Sequence, residues 1–199
     1  MDNLNIYRIC EKSSALGPGT RFVIWVQGCL QHCEGCITPQ SRSLEINHLI
    51  SVETLAKAVI DSKNIEGITI SGGEPFLQAK NLARLLDIVK ANRPDLNVIV
   101  FSGYKMEQLL SDSVQKLLHR IDLLIDGPYI EELNDGKGLR GSSNQRLHFL
   151  TDKLLPFKEQ LRNGGRNNEV ILEAKGMHIV GIPRKDINIK NHVFNNQTI

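Results

Sequence analysis

The sequence predicts an α/β fold with a parallel sheet, on two observations. Short apolar runs that suit strands alternate with segments whose apolar residues recur at i, i+3, i+4 and i+7, the period of a one-sided helix. Strands joined by helices of this length form βαβ units, whose crossovers make the strands parallel. The strand candidates are almost unbroken in apolar character, as expected of strands buried on both faces. With 199 residues, we expect a single domain.

The composition excludes several function classes. Hydrophobic residues make up 41% and charged residues 23% of the chain, which is ordinary for a globular protein. A net charge of +2 argues against a main role in binding nucleic acid. No apolar run reaches the roughly 18–20 residues that span a bilayer, and the polar first residues do not resemble a signal peptide. We therefore expect a cytoplasmic protein without a membrane anchor, in which clustered cysteines form a metal or redox site rather than disulfides.

The first part of the chain leads into a buried strand. Residues 4–10 suit a short edge strand beside the first core strand. Residues 16–20 form a turn in which glycine and proline supply the backbone angles. The apolar strand at 22–26 follows, and after it the cysteine loop. Residues 37–50 are polar and should be irregular, with Pro39 opposing regular structure.

A repeating helix and strand plan occupies the middle of the chain. Ser51 is a suitable helix cap, and the pre-proline Arg93 with Pro94 stops the second helix. The helical period covers residues 52–59, 82–89 and 106–118, and the strands follow at 67–71, 97–101 and 121–125.

Each core strand ends in a glycine beside a polar residue. The pairs are Gln27-Gly28, Gly73-Glu74, Ser102-Gly103 and Asp126-Gly127. In parallel α/β folds the carboxyl ends of the strands carry the ligand site. We therefore expect the cysteine loop, Glu74, Ser102 and Asp126 to share one face.

The plan loosens after residue 128. The stretch at 136–146 is rich in glycine, serine and asparagine and should form a long functional or mobile loop. A short strand is predicted near 147–150, a helical piece at 152–161, and a hairpin at 169–182 that turns at Lys175-Gly176. The tail from Pro183 should fray.

These observations divide the predicted single domain, residues 1–199, into three parts. The core covers about residues 17–130, a loop and hairpin extension covers about 131–183, and the tail covers 184–199.

Three thiols stand close together at Cys29, Cys33 and Cys36, spaced C-x3-C-x2-C. Soft thiolate ligands select zinc, copper(I) or iron–sulfur clusters, and three of them leave one coordination position open. A structural zinc site with His32 or His48 as fourth ligand is the alternative, although zinc sites usually use two C-x2-C pairs.

Followed by Gly72-Gly73-Glu74-Pro75, this cysteine motif resembles the radical S-adenosylmethionine superfamily over residues 17–130. The resemblance implies a partial (β/α) barrel with a parallel sheet, to which the C-terminal β-hairpin is an extension. It also implies that Cys29, Cys33 and Cys36 bind three irons of a [4Fe-4S] cluster and that S-adenosylmethionine chelates the fourth. Reduction would then cleave S-adenosylmethionine to a 5′-deoxyadenosyl radical that abstracts hydrogen.

Further roles follow from the same resemblance. Gly72 and Gly73, without Cβ atoms, would let the ammonium group of S-adenosylmethionine come close, and Glu74 would be its anionic partner beside Pro75. Taken by itself, this segment is more typical of a simple turn.

Three further polar residues have candidate roles. Ser102 would contact the ribose or carboxylate, and Asp126 would bond ribose hydroxyls or line the substrate side. Each is equally well explained as a cap of the helix or turn that follows. Arg21, just before the strand that leads to the cysteine loop, would meet a carboxylate as a planar donor.

Within the superfamily the chain is most similar to the small proteins that install a glycyl radical, especially the activators of anaerobic ribonucleotide reductase. The matching segments are residues 17–21, Gln27-Gly28-Cys29, Cys33-Glu34-Gly35-Cys36, residues 71–75 and Ser102-Gly103-Tyr104. Only 35 residues separate Cys36 from Gly72, too few for a ferredoxin insert, and four cysteines in all permit one cluster. The resemblance therefore implies an external flavodoxin or ferredoxin as reductant and a glycyl-radical enzyme subunit as partner.

Two alternatives stay open. The chain departs from these activators after the third cysteine, at residues 37–42, and in its added loop and hairpin. A stand-alone radical enzyme would act on a small molecule or a ribosomal peptide, with residues 136–150 as its substrate wall, including Arg140, Asn144, Gln145 and Arg146. A zinc or electron-carrier protein is the non-enzymatic alternative. Cys10 is most simply a buried apolar residue, and the basic residues 162–166 are more typical of a solvated turn than of a phosphate site.

Overall fold

A seven-stranded mixed sheet organises the chain in the computed structural model, which describes residues 2–173 and 176–183. A separate two-stranded sheet lies near the carboxyl terminus. The strands are β1 (Asn3–Ser13), β2 (Arg21–Val26), β3 (His48–Ser51), β4 (Gly67–Gly72), β5 (Asn97–Phe101), β6 (Leu123–Asp126), β7 (Arg146–Phe149), β8 (Asn168–Glu173) and β9 (Gly176–Gly181). The α-helices of the described residues are α1 (Val52–Asp61), α2 (Ala79–Asn92), α3 (Asp112–Leu118) and α4 (Lys158–Asn163).

The predicted α/β fold is confirmed, with the predicted parallel strands at the centre of a mixed sheet. The sheet order is β3-β1-β2-β4-β5-β6-β7, and β2, β4, β5 and β6 are parallel neighbours. Antiparallel strands β1 and β3 flank this centre on one side and β7 on the other. The antiparallel pair of β8 and β9 confirms the C-terminal hairpin. Its predicted turn residue Lys175 and the predicted tail from residue 184 lie outside the described residues.

The amino-terminal region differs from the prediction. Strand β1 is longer than residues 4–10, and it is not an edge strand because β3 pairs with its outer side. Residues 37–50 were expected to be irregular, yet they contain a 3-10 turn at Pro39–Arg42 and strand β3. Two of the four β3 residues are exposed and none is buried, so its apolar pattern gives little signal. Backbone pairing with β1 forms this strand.

Helices α1, α2 and α3 pack on one face of the sheet and bury its larger apolar core. Ser51 caps α1 as predicted, because its hydroxyl accepts a hydrogen bond from the Thr54 N–H at 3.1 Å. Helix α2 ends at Asn92, before Arg93 and Pro94, also as predicted. None of the helices in the described part of the chain is both long enough and apolar enough to cross a bilayer.

The third predicted helix is divided in two. A 3-10 turn occupies Met106–Gln108, and α3 begins only at Asp112. The Met106 N–H donates to the carboxylate of Asp126 at 2.6 Å, which holds this turn against the end of β6. Leu110, which fits the helical period, is 75% exposed as a result. A long-range contact therefore overrides the local pattern.

The C-terminal region covers the other face of the sheet. Apolar side chains on this face of the central strands form a second core with apolar side chains from after β6. The strand members include Val23, Trp25, Ile99, Leu123 and Ile125, and the later members include Leu139, Leu154, Leu161 and Val180. The Glu169 carboxylate fastens the hairpin to the end of β1, accepting bonds from the Ser14 N–H at 3.0 Å and from the hydroxyls of Ser13 and Ser14. Cys10 is buried in the same core, as predicted.

Arg21 is completely buried at the amino end of β2. Its guanidinium donates to the Thr69 hydroxyl at 2.6 Å and to the carbonyls of Pro18 and Ile68 at 3.1 and 2.8 Å. Burial lowers its pKa to about 9. Because the cysteine loop leaves the opposite end of β2, Arg21 lies far from the predicted ligand edge. The expected partnership of Arg21 with a ligand carboxylate is therefore wrong, and its role is to fasten the amino ends of β2, β4 and β5.

Replacing Arg21 by Ala should lower the free energy of unfolding by about 3 kcal/mol or more, because the change leaves buried acceptors unpaired and opens a cavity. Arg21→Lys should give an intermediate loss, since an ammonium group cannot reproduce the planar fork. Denaturant unfolding followed by circular dichroism measures both. Arg84→Ala is the matched control, because Arg84 forms exposed ion pairs with Asp2 and Glu53 and should cost less than about 1 kcal/mol. Equal losses for Arg21→Ala and Arg84→Ala would contradict the assignment.

Candidate metal centre

The cysteine loop begins where β2 ends and is fixed at its start by backbone hydrogen bonds. The Gly28 N–H donates to the Ser41 carbonyl at 2.8 Å, and the Cys29 N–H donates to the Arg42 carbonyl at 3.1 Å. Gly28 has a φ of +101°, which side chains with a Cβ rarely adopt. The loop is therefore bound to the 3-10 turn at Pro39–Arg42 before the first thiol is reached.

Gly72 and Gly73 pack directly under this loop. The Gly73 N–H donates to the Val26 carbonyl and the Glu74 N–H to the Gly28 carbonyl, both at 2.8 Å. A Cβ on Gly73 would collide with the carbonyl oxygen of Gly28, and one on Gly72 would lie 2.6 Å from the backbone of Val26. The close approach of these two chain segments thus requires glycine at both positions. This packing requirement holds whether or not a ligand also approaches them.

Glu74 joins the ends of β4 and β5 from a position with 1% exposure. One carboxylate oxygen accepts from the Phe76 N–H and the Ser102 hydroxyl, each at 3.0 Å, and the other accepts from the Gly103 N–H at 2.8 Å. Pro75 opens the 3-10 turn Pro75–Gln78 that Glu74 caps. The expectation that Glu74 and Ser102 share one face is confirmed by this direct bond.

Burial gives Glu74 an unusual electrostatic state. Loss of solvent raises its pKa to about 7, although hydrogen bonds from Phe76, Gly103 and Ser102 oppose the rise. Its anionic form is therefore costly in this environment. A positive charge placed nearby would lower that cost.

The three loop cysteines are half-buried and are not joined in disulfides. Burial raises the pKa of the Cys29 thiol, the Gln31 N–H bond lowers it, and the charges of Glu74, Cys36 and Cys33 raise it further. These thiols and Glu74 therefore form one electrostatic neighbourhood. In residues 2–173 and 176–183, no three His, Cys, Asp or Glu side chains are arranged as a preformed metal site.

As a donor set, three soft thiols on one half-buried loop fit a thiophilic metal such as the iron of a cluster. The two histidines proposed for a zinc site have other neighbours. His32 presents its Nδ1 to the guanidinium of Arg42, and His48 belongs to β3, where it pairs with Ile6. These contacts give no support to a fourth histidine ligand.

Asp126 lies at the next strand end, in a second cluster. Its buried carboxylate accepts from the Met106 N–H, from Arg146 Nε at 3.0 Å, and lies 3.1 Å from His148 Nε2. Burial alone would raise the pKa of Asp126, but Arg146, the Met106 N–H and His148 outweigh it, so the pKa is lowered. Arg146 also forms a bidentate pair with Glu107, at 2.8 Å for both bonds.

Sequence reasoning missed His148 and Gln78 at this edge and named Arg146 only as part of an alternative substrate wall. Arg146 and His148 face Asp126 because β7 pairs with β6 in an antiparallel register, Asp126 opposite Arg146. The alternation of these two residues along one strand was the available signal. Gln78 had none, yet its side chain donates to the carbonyls of Asn5 and Gln27 at 2.9 and 3.0 Å and so ties β1 to the cysteine loop.

Comparison with known proteins agrees with this site. Residues 15–148, more than half of the chain, match the family described as 4Fe-4S single cluster domain. An anaerobic ribonucleoside-triphosphate reductase-activating protein from Vibrio cholerae is 38% identical over 143 residues, covering 68% of this chain and 91% of the relative. Proteins of the same name from Enterobacteria phage T4 and Escherichia coli K12 are 33% and 32% identical, covering 75% and 67% of this chain and 96% and 91% of their own.

The identities, the near-complete coverage of these relatives and the matched cluster domain lead to one conclusion. This chain belongs to the family of anaerobic ribonucleoside-triphosphate reductase-activating proteins.

Proposed function

We propose that this chain activates an anaerobic ribonucleotide reductase by installing a glycyl radical, as a radical S-adenosylmethionine enzyme. Cys29, Cys33 and Cys36 would hold a [4Fe-4S] cluster, with S-adenosylmethionine beside it. The observation that carries the proposal is the placement of three unbridged thiols next to the buried Glu74, at the carboxyl edge of the parallel strands. The names of the relatives support the partner class.

When bound, the cluster and S-adenosylmethionine would supply one-electron cleavage of a sulfonium and hydrogen-atom abstraction, which no side chain provides. The protein's part is to place and enclose these groups. Gly72 and Gly73 bring the chain close to the cysteine loop, and Pro75 starts the turn that follows. With Glu74, they would form the wall against which the ammonium group of S-adenosylmethionine lies.

Glu74 would act in two ways at once. Its hydrogen bonds to Ser102 and Gly103 hold the end of β5 against the end of β4, so the edge keeps its shape. Its charge, poorly solvated, would attract the ammonium or sulfonium group of the cosubstrate. Ser102 would then serve mainly through Glu74. Asp126 would position Arg146 and His148 at the rim of the site.

We propose one domain, with the sheet curved as a partial barrel around the ligand edge. An external flavodoxin or ferredoxin would supply the electron, because the fourth cysteine, Cys10, is buried away from the loop among the residues of the second core.

A stand-alone radical enzyme acting on a small molecule or a ribosomal peptide is the second candidate. The observation that favours it is the C-terminal layer, since Leu154, Leu161 and Val180 lie beyond the matched cluster domain and pack on the second face of the sheet. Added covering structure suits an enzyme that encloses its own substrate. The reductase assay described below separates the two candidates.

Anaerobically reconstituted protein should contain about four irons per chain and, when reduced with S-adenosylmethionine present, should release 5′-deoxyadenosine. Replacing Cys29, Cys33 or Cys36 by Ala should abolish that release, because each substitution removes a cluster ligand. Cys10→Ala is the matched control and should retain it. Iron analysis and chromatography provide the measurements, and full activity of Cys33→Ala would overturn the ligand set.

Mixed with an anaerobic ribonucleotide reductase subunit, a reductant and S-adenosylmethionine, the reconstituted protein should generate a glycyl-radical signal in electron paramagnetic resonance. The signal should be absent with the Cys36→Ala variant. Abundant 5′-deoxyadenosine without any reductase radical would instead favour the stand-alone enzyme.

The Glu74→Gln variant should change how stability depends on pH. The folded-state pKa of about 7 lies above the ordinary value of 4.5, so the folded protein holds the proton more tightly. The stabilisation from that proton is complete below pH 4.5 and is lost as the pH rises through 7. The free energy of unfolding of the wild type, relative to Glu74→Gln, should therefore fall by at most about 1.4 kcal/mol per pH unit across this range and then level off. Urea unfolding of the apoprotein at several pH values measures the difference, and parallel curves would show that Glu74 does not titrate in this range.

A further inference from the structure

An open cleft of about 400 Å³ lies beside the Asp126 cluster and shares Arg146 with it. Its lining residues come from two parts of the chain: Arg140, Gln145, Arg146, Leu147, Arg162 and Asn163. The first four lie inside the matched cluster domain, whereas Arg162 and Asn163 lie beyond residue 148, in α4. The cleft thus depends on residues that lie beyond the matched cluster domain.

Backbone hydrogen bonds fix the two walls against each other. The Leu139 N–H donates to the Leu161 carbonyl at 2.7 Å, and the Gly138 N–H donates to the Gly164 carbonyl at 2.8 Å. A Cβ on Gly138 would collide with the carbonyls of α4, so the approach is as close as the backbone allows. The predicted loop at 136–146 is therefore held in place here.

Arg166 reinforces this junction from inside. Its side chain is 2% exposed, and its guanidinium donates to Asn134 Oδ1 at 2.8 Å, to the Pro183 carbonyl at 3.1 Å and to the carbonyl of Arg140. Because Arg166 holds the backbone of Arg140, it also holds that wall of the cleft. Arg166 is thus a structural cation rather than part of a solvated turn.

Three guanidinium groups line the cleft, and their charges are not equally compensated. Arg140 pairs with Asp135 at 2.7 Å, and Arg146 pairs with Asp126 and Glu107. Arg162, in contrast, forms no ion pair or hydrogen bond through its guanidinium with any residue of the described ranges.

A second donor in the cleft also lacks an acceptor. Arg140 Nε is buried and has no hydrogen-bond partner among the described residues, even though Nη2 of the same side chain pairs with Asp135. Buried donors are rarely left without a partner. The cleft therefore presents two unpaired donor groups, Arg140 Nε and the guanidinium of Arg162, and an oxyanion could accept from both.

We propose that this cleft binds an organic phosphate of nucleotide size. Guanidinium groups bind phosphate oxygens in a bidentate manner, and several phosphoryl groups in a row could meet Arg162 and Arg140 together, as one carboxylate could not. The volume lies within the range of small-molecule sites, beyond what a single phosphate needs. Leu147 adds an apolar surface for the organic part.

Titration calorimetry of the reconstituted protein with ATP, inorganic tripolyphosphate and adenosine tests the proposal. ATP and tripolyphosphate should bind saturably and adenosine should not, because the guanidinium groups supply the affinity. Arg162→Gln should weaken ATP binding at least 10-fold. Arg84→Gln removes the same charge from an exposed ion pair away from the cleft and should leave ATP binding unchanged.

Iron content and thermal unfolding, measured on each variant, show whether Arg162→Gln is folded and loaded. Because the binding assay needs no S-adenosylmethionine cleavage, it succeeds or fails independently of the activating function. Absence of saturable ATP binding, equal binding by Arg162→Gln, or equal binding of adenosine would overturn the proposal. An Arg162-dependent affinity for an acidic peptide without any for tripolyphosphate would overturn it too, since the cleft would then recognise protein carboxylates.

Discussion

The carboxylate of Glu74 is the interaction on which the candidate site depends. Almost without solvent, it accepts hydrogen bonds from its own turn and from both the hydroxyl of Ser102 and the N–H of Gly103. Its backbone N–H holds Gly28 at the start of the cysteine loop. One residue therefore connects two strand ends with the thiol-bearing loop. The same carboxylate would supply the negative charge for the proposed cationic ligand.

The fold was predictable where local signals agree with tertiary packing. Helical periodicity, the Ser51 cap and the stop at Pro94 gave α1 and α2, because their buried faces are also the faces that the sheet requires. The division of the third helix was not predictable, since its cause is a bond from Met106 to Asp126, 20 residues away. Strand β3 forms by backbone pairing, which leaves no mark on side-chain pattern.

The site was predictable to a similar extent. Thiol spacing and the rule that parallel strands present their carboxyl ends together were enough to associate Cys29 with Glu74 and Ser102. The partners of Asp126 depend on the register of an antiparallel strand, and that register cannot be derived from a four-residue apolar run. For Arg21 the sequence was misleading. It stands close in sequence to the cysteine loop, yet it lies at the amino end of β2, and the loop leaves the other end.

The bond between Ser13 and Glu169 spans 156 residues, so the layer that covers the second face is completed by residues made long after the strands that it covers. On the ribosome, the apolar face that includes Trp25 and Ile125 has to wait for Leu161 and Val180 before it is shielded from water. Long sequence separations of this kind slow folding. During synthesis, the chain therefore passes through a stage at which the strands that carry the cysteine loop can pair while one side of their sheet is still open to aggregation or to a chaperone.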